Sequence, residues 1–241
     1  PSARNAHAWV ERTPDDFAFN LKAFRLFTGH QTPAKALPRD VQQALAGHFA
    51  THRHLYYRDT PAEISDLLWH RFENAVRHLR AAGHDLALWA RRPESAAALV
   101  AEGVSLCATP SELAARSEVV ITIVTASADV EALAFGPNGL AAGFAPGGIH
   151  VDMSTIAPAT ARALAARYAE RGIGWVDAPV SGGGQGARDA TLAIMAGAED
   201  ETLARVRPLF EVLGKRIVHI GPPGAGQVAK ACNQMIMVST I

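Results

Sequence analysis

A chain of 241 residues, 49% hydrophobic and 19% charged, is long enough to bury a sizeable core and too apolar to stay disordered. Lysine plus arginine balance aspartate plus glutamate at 23 each, so nothing in the balance points to a nucleic-acid or anionic-membrane partner. No apolar window approaches the roughly 18 residues of a membrane span, and no charged-then-apolar leader is present. Cys107 and Cys232 stand far apart without metal-like spacing, which predicts buried thiols in a reducing, cytoplasmic setting.

The first 80 residues are rich in histidine, charge and aromatics. Phe17–Phe24 is strand-like and a helix is expected near 39–50. His48, His52 and His54 resemble a metal-ligand spacing, but their surroundings are polar and lack cysteine, so they read as a surface cluster and no metal is assigned. Thr60-Pro-Ala-Glu63 forms a capping box with proline at the first helical position. From there Leu68, Phe72, Ala75 and Leu79 keep one apolar face until Gly83 ends the helix.

Beyond residue 84 the grammar changes. Short apolar runs at 85–90, 118–124, 148–152, 174–177, 192–195 and 216–220 predict buried strands, with 104–106 a weaker one. Amphipathic stretches at 94–102, 111–116, 128–134, 158–171 and 200–213 alternate with them. Such alternation means βαβ units, a mostly parallel sheet, and ligands at the carboxyl ends of its strands.

Chemistry concentrates late in the chain. Asp177-Ala-Pro-Val-Ser-Gly-Gly183 is a strand running into a turn of small residues whose amides are free to meet an anion. Gly224-Ala-Gly-Gln-Val-Ala-Lys230 is a glycine-led helix start, with Lys230, Asn233 and Gln234 at i, i+3 and i+4 on one face. A carboxylate held in the turn and a lysine reaching the adjacent hydroxyl carbon would describe a hydroxyacid dehydrogenase. Ser154-Thr155 follow the strand ending at Asp152, as a ligand contact, as a cap for the helix opening at Pro158, or as both.

With Leu79-Arg-Ala-Ala-Gly-His-Asp-Leu86, Val151-Asp-Met-Ser-Thr155, Thr191-Leu-Ala-Ile-Met195, Gly197 and Asn233 added in order, residues 73–241 resemble the β-hydroxyacid dehydrogenase family. That family includes 3-hydroxyisobutyrate dehydrogenase and tartronate semialdehyde reductase. The resemblance implies an NAD(P)-dependent hydride transfer to or from a small 3-hydroxyacid or semialdehyde. Lys230 would be the acid/base group, with Asn233 orienting the same oxygen and Gln234 as the other candidate amide. Ser181, Gly182 and Gly183 would seat the carboxylate. Val124, Thr125 and Thr155 would touch the cofactor, the first two through backbone and packing. Ala190 and Ala198 stand where glycine is frequent in the family.

Family members open on a strand and a Gly-x-Gly-x-x-Gly turn, whose positions hold Leu67, Trp69 and Phe72 here. The equivalent first strand, residues 62–66, is too polar for the middle of a parallel sheet. About twenty residues on, Arg91 takes the place of a ribose-binding carboxylate and pairs with a 2′-phosphate or with solvent, leaning to NADP over NAD. Residues 1–72 resemble part of an uncharacterised TIM-barrel family, too short to close a barrel.

The expected architecture is therefore α/β: an incomplete Rossmann-like, mostly parallel sheet, its first strand and Gly-rich turn replaced, preceded by a helix-rich barrel-like fragment. Three segments follow: 1–72 barrel-like, 73–223 NAD(P)-binding, and 224–241 the start of a helical domain. The missing initial Met and the apolar run 235–241 point to a fragment. Beside the enzyme reading stands a non-catalytic chimeric remnant. Homo-oligomerisation is open to either.

Overall fold

The computed structural model describes residues 32–33, 54–55, 76–91, 93–124 and 126–239, with side-chain surroundings through residue 236. The expected strand at 17–24, the helix near 39–50, the helix start at Thr60, Leu67, Trp69, Phe72 and Thr125 lie outside those residues. Early in the chain, β1 (Thr32–Pro33) and β2 (His54–Leu55) pair antiparallel.

From residue 76 the predicted alternation is present. The described end of the helix before Gly83 is α1 (residues 76–81). Then come β3 (Ala87–Leu88), α2 (Ala97–Ala101), β4 (Ser105–Leu106), α3 (Pro110–Ala115), β5 (Val119–Thr122) and α4 (Ser127–Phe135). After α5 (Leu140–Gly143) follow β6 (Ile149–Asp152), α6 (Pro158–Ala169), β7 (Gly174–Asp177) and β8 (Val180–Ser181). The chain continues through α7 (Gly183–Arg188), β9 (Leu192–Gly197), α8 (Asp200–Leu213) and β10 (Gly214–Gly221) to α9 (Ala225–Ser239). The additional helices α5 and α7 are single-turn or glycine-rich pieces, which carry no helical apolar period to find.

The main sheet runs in the order β10-β9-β7-β6-β5, with β8 added to β9. β5, β6 and β7 are parallel, as are β9 and β10, while β7 and β8 meet β9 antiparallel. β3 and β4 form a separate parallel pair. Among the described residues no strand bridges β3 to β5, where a doubly wound sheet carries its first strand. Leu86 packs against the cores of both parts.

Alternation along the strands sorts residues into two layers. Ile149, Val151, Val176 and Ile194 face α8, whose Leu203, Val206, Phe210 and Leu213 complete one core. Their 3-4-3 spacing is the apolar stripe expected of a helix lying on a sheet. Val120 and Trp175 face the other way, onto Ala161, Leu164 and Tyr168 of α6. Every residue of β6 is buried, as a central parallel strand requires. Cys107 is buried, but Cys232 is exposed, a correction to the expectation for both thiols. It lies two residues past Lys230 on α9, about 200° around the helix from that buried side chain.

Candidate active site

The carboxyl ends of β6 and β7 meet the first turn of α9. Asp177, fully buried at the end of β7, accepts from the backbone N–H of Gly224 through Oδ1 at 2.5 Å and of Gln227 through Oδ2 at 3.0 Å. First-turn amides have no partner within their own helix, and a carboxylate there is favoured by the helix dipole. Burial still pushes the Asp177 carboxyl up to about 6, against the pull of those amides.

Gln227, 1% exposed, fastens the same turn to the loop after β6. Its Nε2 donates to Ser154 O at 2.8 Å, and its Oε1 accepts from Ile156 N–H at 3.0 Å. A side chain at Gly226 would run into the carbonyl oxygens of Met195 and Asp177. Gly226→Ala is therefore expected to cost roughly 1–3 kcal/mol through overpacking, read as a lower urea midpoint. An unchanged midpoint would show that α9 does not press on β7 and β9 this closely.

A second buried network runs beneath the loops of β5 and β6. Thr122 Oγ1 donates to Asp152 Oδ1 at 2.8 Å, so the contact from His150 Nε2 at 2.8 Å must be donated by the histidine. His150 Nδ1 then accepts from Tyr168 Oη–H at 2.9 Å. Burial drives the His150 pKa down to about 3, which keeps the ring neutral. Ser154 Oγ donates to Asp152 Oδ1 at 2.6 Å and accepts from Val124 N–H at 2.8 Å. Asp152 thereby ties together the carboxyl-end loops of two neighbouring strands.

Lys230 stands one turn beyond Gln227, 8% exposed, and burial lowers its amine below the ordinary lysine value. Its Nζ donates to Gln234 Oε1 at 2.9 Å, which also accepts from Asn233 Nδ2 at 3.2 Å. The face predicted from i, i+3, i+4 spacing is assembled. Ser181 and Gly182 line a cavity of about 450 Å³ with Thr191, Ala193, Lys215 and Arg216. Gly182 and Gly183 adopt φ of +127° and +60°, a backbone that glycine enters without strain. Lys230 is not among the lining residues of that cavity. Asp177, four residues before Ser181, joins the strand that leads into the turn to the lysine's helix through its hydrogen bonds from Gly224 and Gln227.

Other expected contacts are placed unevenly. Val124 lies in the loop after β5 with its N–H donated to Ser154 Oγ, and Thr155, next in the chain after Ser154, is half-buried. Arg91 is largely exposed, with Nη1 4.0 Å from Asp129 Oδ1. The capping reading of Ser154 or Thr155 fails: Ala157 occupies the N-cap of α6 without a side-chain cap, and Ser127 Oγ accepts from its N–H at 3.1 Å. Ser154 is instead held by Asp152. Asp177 and Gln227 stand inside the two motifs without a role that the sequence assigns, and Lys215 and Arg216 carry none either; only the i−3 placement of Gln227 before Lys230 hints at one. Ala190 holds φ at +51°, a left-handed backbone that glycine would enter without strain.

A twisted sheet wound with helices on both faces, its polar residues gathered at the carboxyl ends of β5, β6 and β7, defines a dinucleotide-binding α/β protein. Residues 73–221 match the family described as the NAD binding domain of 6-phosphogluconate dehydrogenase, and the chain belongs to that family. Residues 1–110 also match a family described as protein of unknown function DUF72, so 73–110 fall within both matches. Among curated proteins it is 46% identical over 139 residues to an NAD-dependent L-serine dehydrogenase of Pseudomonas aeruginosa, covering 58% of this chain and 47% of that one. It is 41% identical over 160 residues to a 3-hydroxyisobutyrate dehydrogenase of the same organism, covering 66% and 54%. To 2-hydroxy-3-oxopropionate reductase of Escherichia coli it is 38% identical over 164 residues, covering 68% and 56%. The solved 3-hydroxyisobutyrate dehydrogenase of Mycobacterium tuberculosis with L-serine superposes with a TM-score of 0.66 at 35% identity, covering 70% of this chain and 57% of that one. The chain spans about half the length of the curated relatives it matches.

Proposed function

We propose that this chain carries the acid/base and carboxylate-binding half of an NAD(P)-dependent 3-hydroxyacid dehydrogenase. The observation that carries the reading is Lys230: a buried amine hydrogen-bonded to Gln234, on a helix pinned to the carboxyl end of β7. Relatives named for L-serine, 3-hydroxyisobutyrate and 2-hydroxy-3-oxopropionate share one substrate shape, a small acid with an alcohol or aldehyde one carbon beyond C2.

In this reading the Lys230 amine takes the proton of the substrate hydroxyl in oxidation and returns it to the carbonyl oxygen in reduction. Asn233 orients that oxygen, with Gln234 holding both side chains in place. Ser181, Gly182 and Gly183 bind the carboxylate through hydroxyl and backbone, and the cationic Lys215 and Arg216 on the same cavity favour an acid there. The nicotinamide, when bound, accepts or supplies the hydride.

The residues fit one end of that cofactor better than the other. Val124, Thr125 and Thr155 suit its nicotinamide end, and the Thr155 hydroxyl has no hydrogen-bond partner among the described residues. Exposed Arg91 suits a 2′-phosphate, which favours NADP over NAD. The phosphate-cradle positions carry Leu67, Trp69 and Phe72, residues that leave no room for a close backbone approach. That mismatch supports a second reading, a non-catalytic remnant. Under either, segments 1–72, 73–223 and 224–241 are the barrel-like, dinucleotide-binding and helical units. The balanced charge suits a cytoplasmic protein without nucleic-acid or membrane partners, and among the described residues no helix is long and apolar enough to cross a membrane.

Titration with NADPH separates the readings. Binding tighter than about millimolar, near −4 kcal/mol, is expected for the enzyme; none at that concentration favours the remnant. Arg91→Ala is expected to weaken NADPH roughly 3–10-fold and leave NADH unchanged, as an exposed cation facing a phosphate would. Equal effects on both cofactors would remove Arg91 from the site.

A further inference from the structure

We propose that Asp177 is the positioning residue for Lys230: its carboxylate fixes where α9 begins, and so holds the amine in its buried place. The inference rests on reading Lys230 as the group that exchanges the proton. Its own support is geometric.

Asp177 takes two backbone donors with two different oxygens, Gly224 N–H on Oδ1 and Gln227 N–H on Oδ2. A bidentate acceptor of this kind sets both the axial start of a helix and its rotation, because the two amides lie three residues apart on one turn. Gln227 then adds a third and a fourth bond, to Ser154 O and Ile156 N–H, which stop the turn from swinging about Asp177. Lys230 follows Gln227 by three residues, about 4.5 Å along the same helix. Rotation of the first turn would carry the lysine out of the position where it is 8% exposed.

The packing leaves no room for another acceptor. A side chain at Gly197 would lie 2.7 Å from Asp177 Oδ1 and from Gly226 N, so strand β9 presses α9 onto the carboxylate. Among the described residues Asp177 has no cationic hydrogen-bond partner, and both oxygens are engaged by the helix start. A fully buried carboxylate without a salt bridge is costly unless it is hydrogen-bonded, and both backbone bonds that offset the cost here come from the start of α9.

The test reads the lysine itself rather than turnover. The chain has four lysines, so reductive ¹³C-methylation gives a small set of NMR signals that can be followed against pH and assigned by substitution. In the wild type burial holds the Lys230 midpoint below the ordinary lysine value. In Asp177→Asn an amide donor faces one of the two N–H groups, the turn is released, and the Lys230 midpoint is expected to rise by at least half a pH unit. Loss of the Asp177 charge alone would move an ammonium group the opposite way, so an upward shift reports release from burial. Asp177→Ser, with one acceptor on a shorter arm, should fall between the two and serves if Asp177→Asn does not fold. Leu99→Ala, in the separate β3–β4 core, lowers stability without touching α9 and should leave the midpoint unmoved. A Lys230 midpoint that stays fixed or falls in the Asp177 variants, or that rises equally in Leu99→Ala, overturns the proposal. Absence of dehydrogenase turnover, or turnover surviving Lys230→Ala, would instead count against the acid/base reading and leave this measurement unaffected.

Discussion

Lys230→Met should lower kcat for 3-hydroxyacid oxidation by about 10²–10⁴-fold, the usual worth of a positioned acid/base group. Methionine matches the length of the lysine stem and suits a side chain that is only 8% exposed, so the fold should tolerate it. Gln234 Oε1 keeps a donor in Asn233 Nδ2, which prevents collapse of the amide pair. Cofactor affinity should change little, because the residues assigned to the cofactor lie on the loops after β3, β5 and β6. Lys230→Arg supplies the control. It keeps a cation but cannot give up its proton near neutral pH, so it should lose nearly as much rate. If Lys230→Arg retains most activity, the amine acts as a fixed charge and the proton goes elsewhere. The pH profile follows from the sign of the shift: burial lowers the amine, so the free base appears at lower pH than for an ordinary lysine. Oxidation should rise through that pKa with increasing pH, and reduction should fall through it.

Which parts of this site were legible depends on how far apart the cooperating residues lie. The run that becomes β5 is β-branched throughout, as suits a buried parallel strand, while β6 and β7 set Ile149, Val151, Trp175 and Val176 among the polar His150, Asp152 and Asp177. The face shared by Lys230, Asn233 and Gln234 follows from helical spacing alone. Asp177 and Gly224, by contrast, are 47 residues apart, and Gln227 and Ser154 are 73 apart. No local period encodes such bonds. Ser154 illustrates the same limit at short range. Its position before Pro158 is what a helix cap looks like, yet a buried carboxylate two residues earlier binds the hydroxyl first. Cys232 shows that the absence of a metal-like spacing says nothing about burial, because exposure on a helix depends on the angle at which a side chain leaves it. The replacement of the Gly-rich turn is read from Leu67, Trp69 and Phe72, which lie outside the described residues.

Asp152→Asn should change the sign of a stability difference across the acid range. Asp152 is fully buried, accepts three bonds on Oδ1 from Thr122 and Ser154, and leaves Oδ2 with no partner. Burial raises its carboxyl from 3.8 to about 6, with the neighbouring Asp177 adding to the shift. A raised folded-state pKa means that protons bind the folded chain more tightly than the unfolded one. Below about pH 4 both states are protonated and nothing is lost; as pH rises through 4 to 6 the folded state must hold a buried charge, and stability falls. The shift corresponds to about 3 kcal/mol at pH 7.5. Asparagine keeps the Oδ1 bonds and removes that charge, at a cost of roughly 1–2 kcal/mol for an amide left unpaired in place of Oδ2. The variant should therefore be more stable than wild type by about 1–2 kcal/mol at pH 7.5 and less stable by a similar amount at pH 4. Asp177, also raised to about 6, keeps its own slope in the variant, so the dependence should be reduced and not abolished. Neutral His150, driven down to about 3, does not titrate in this window and leaves the direction of the network fixed. Urea midpoints at half-unit steps from pH 4 to 8 should give two curves that cross. Curves that stay parallel would mean that Asp152 reaches solvent or a counter-charge, and that the loops of β5 and β6 are not held together by a buried carboxyl.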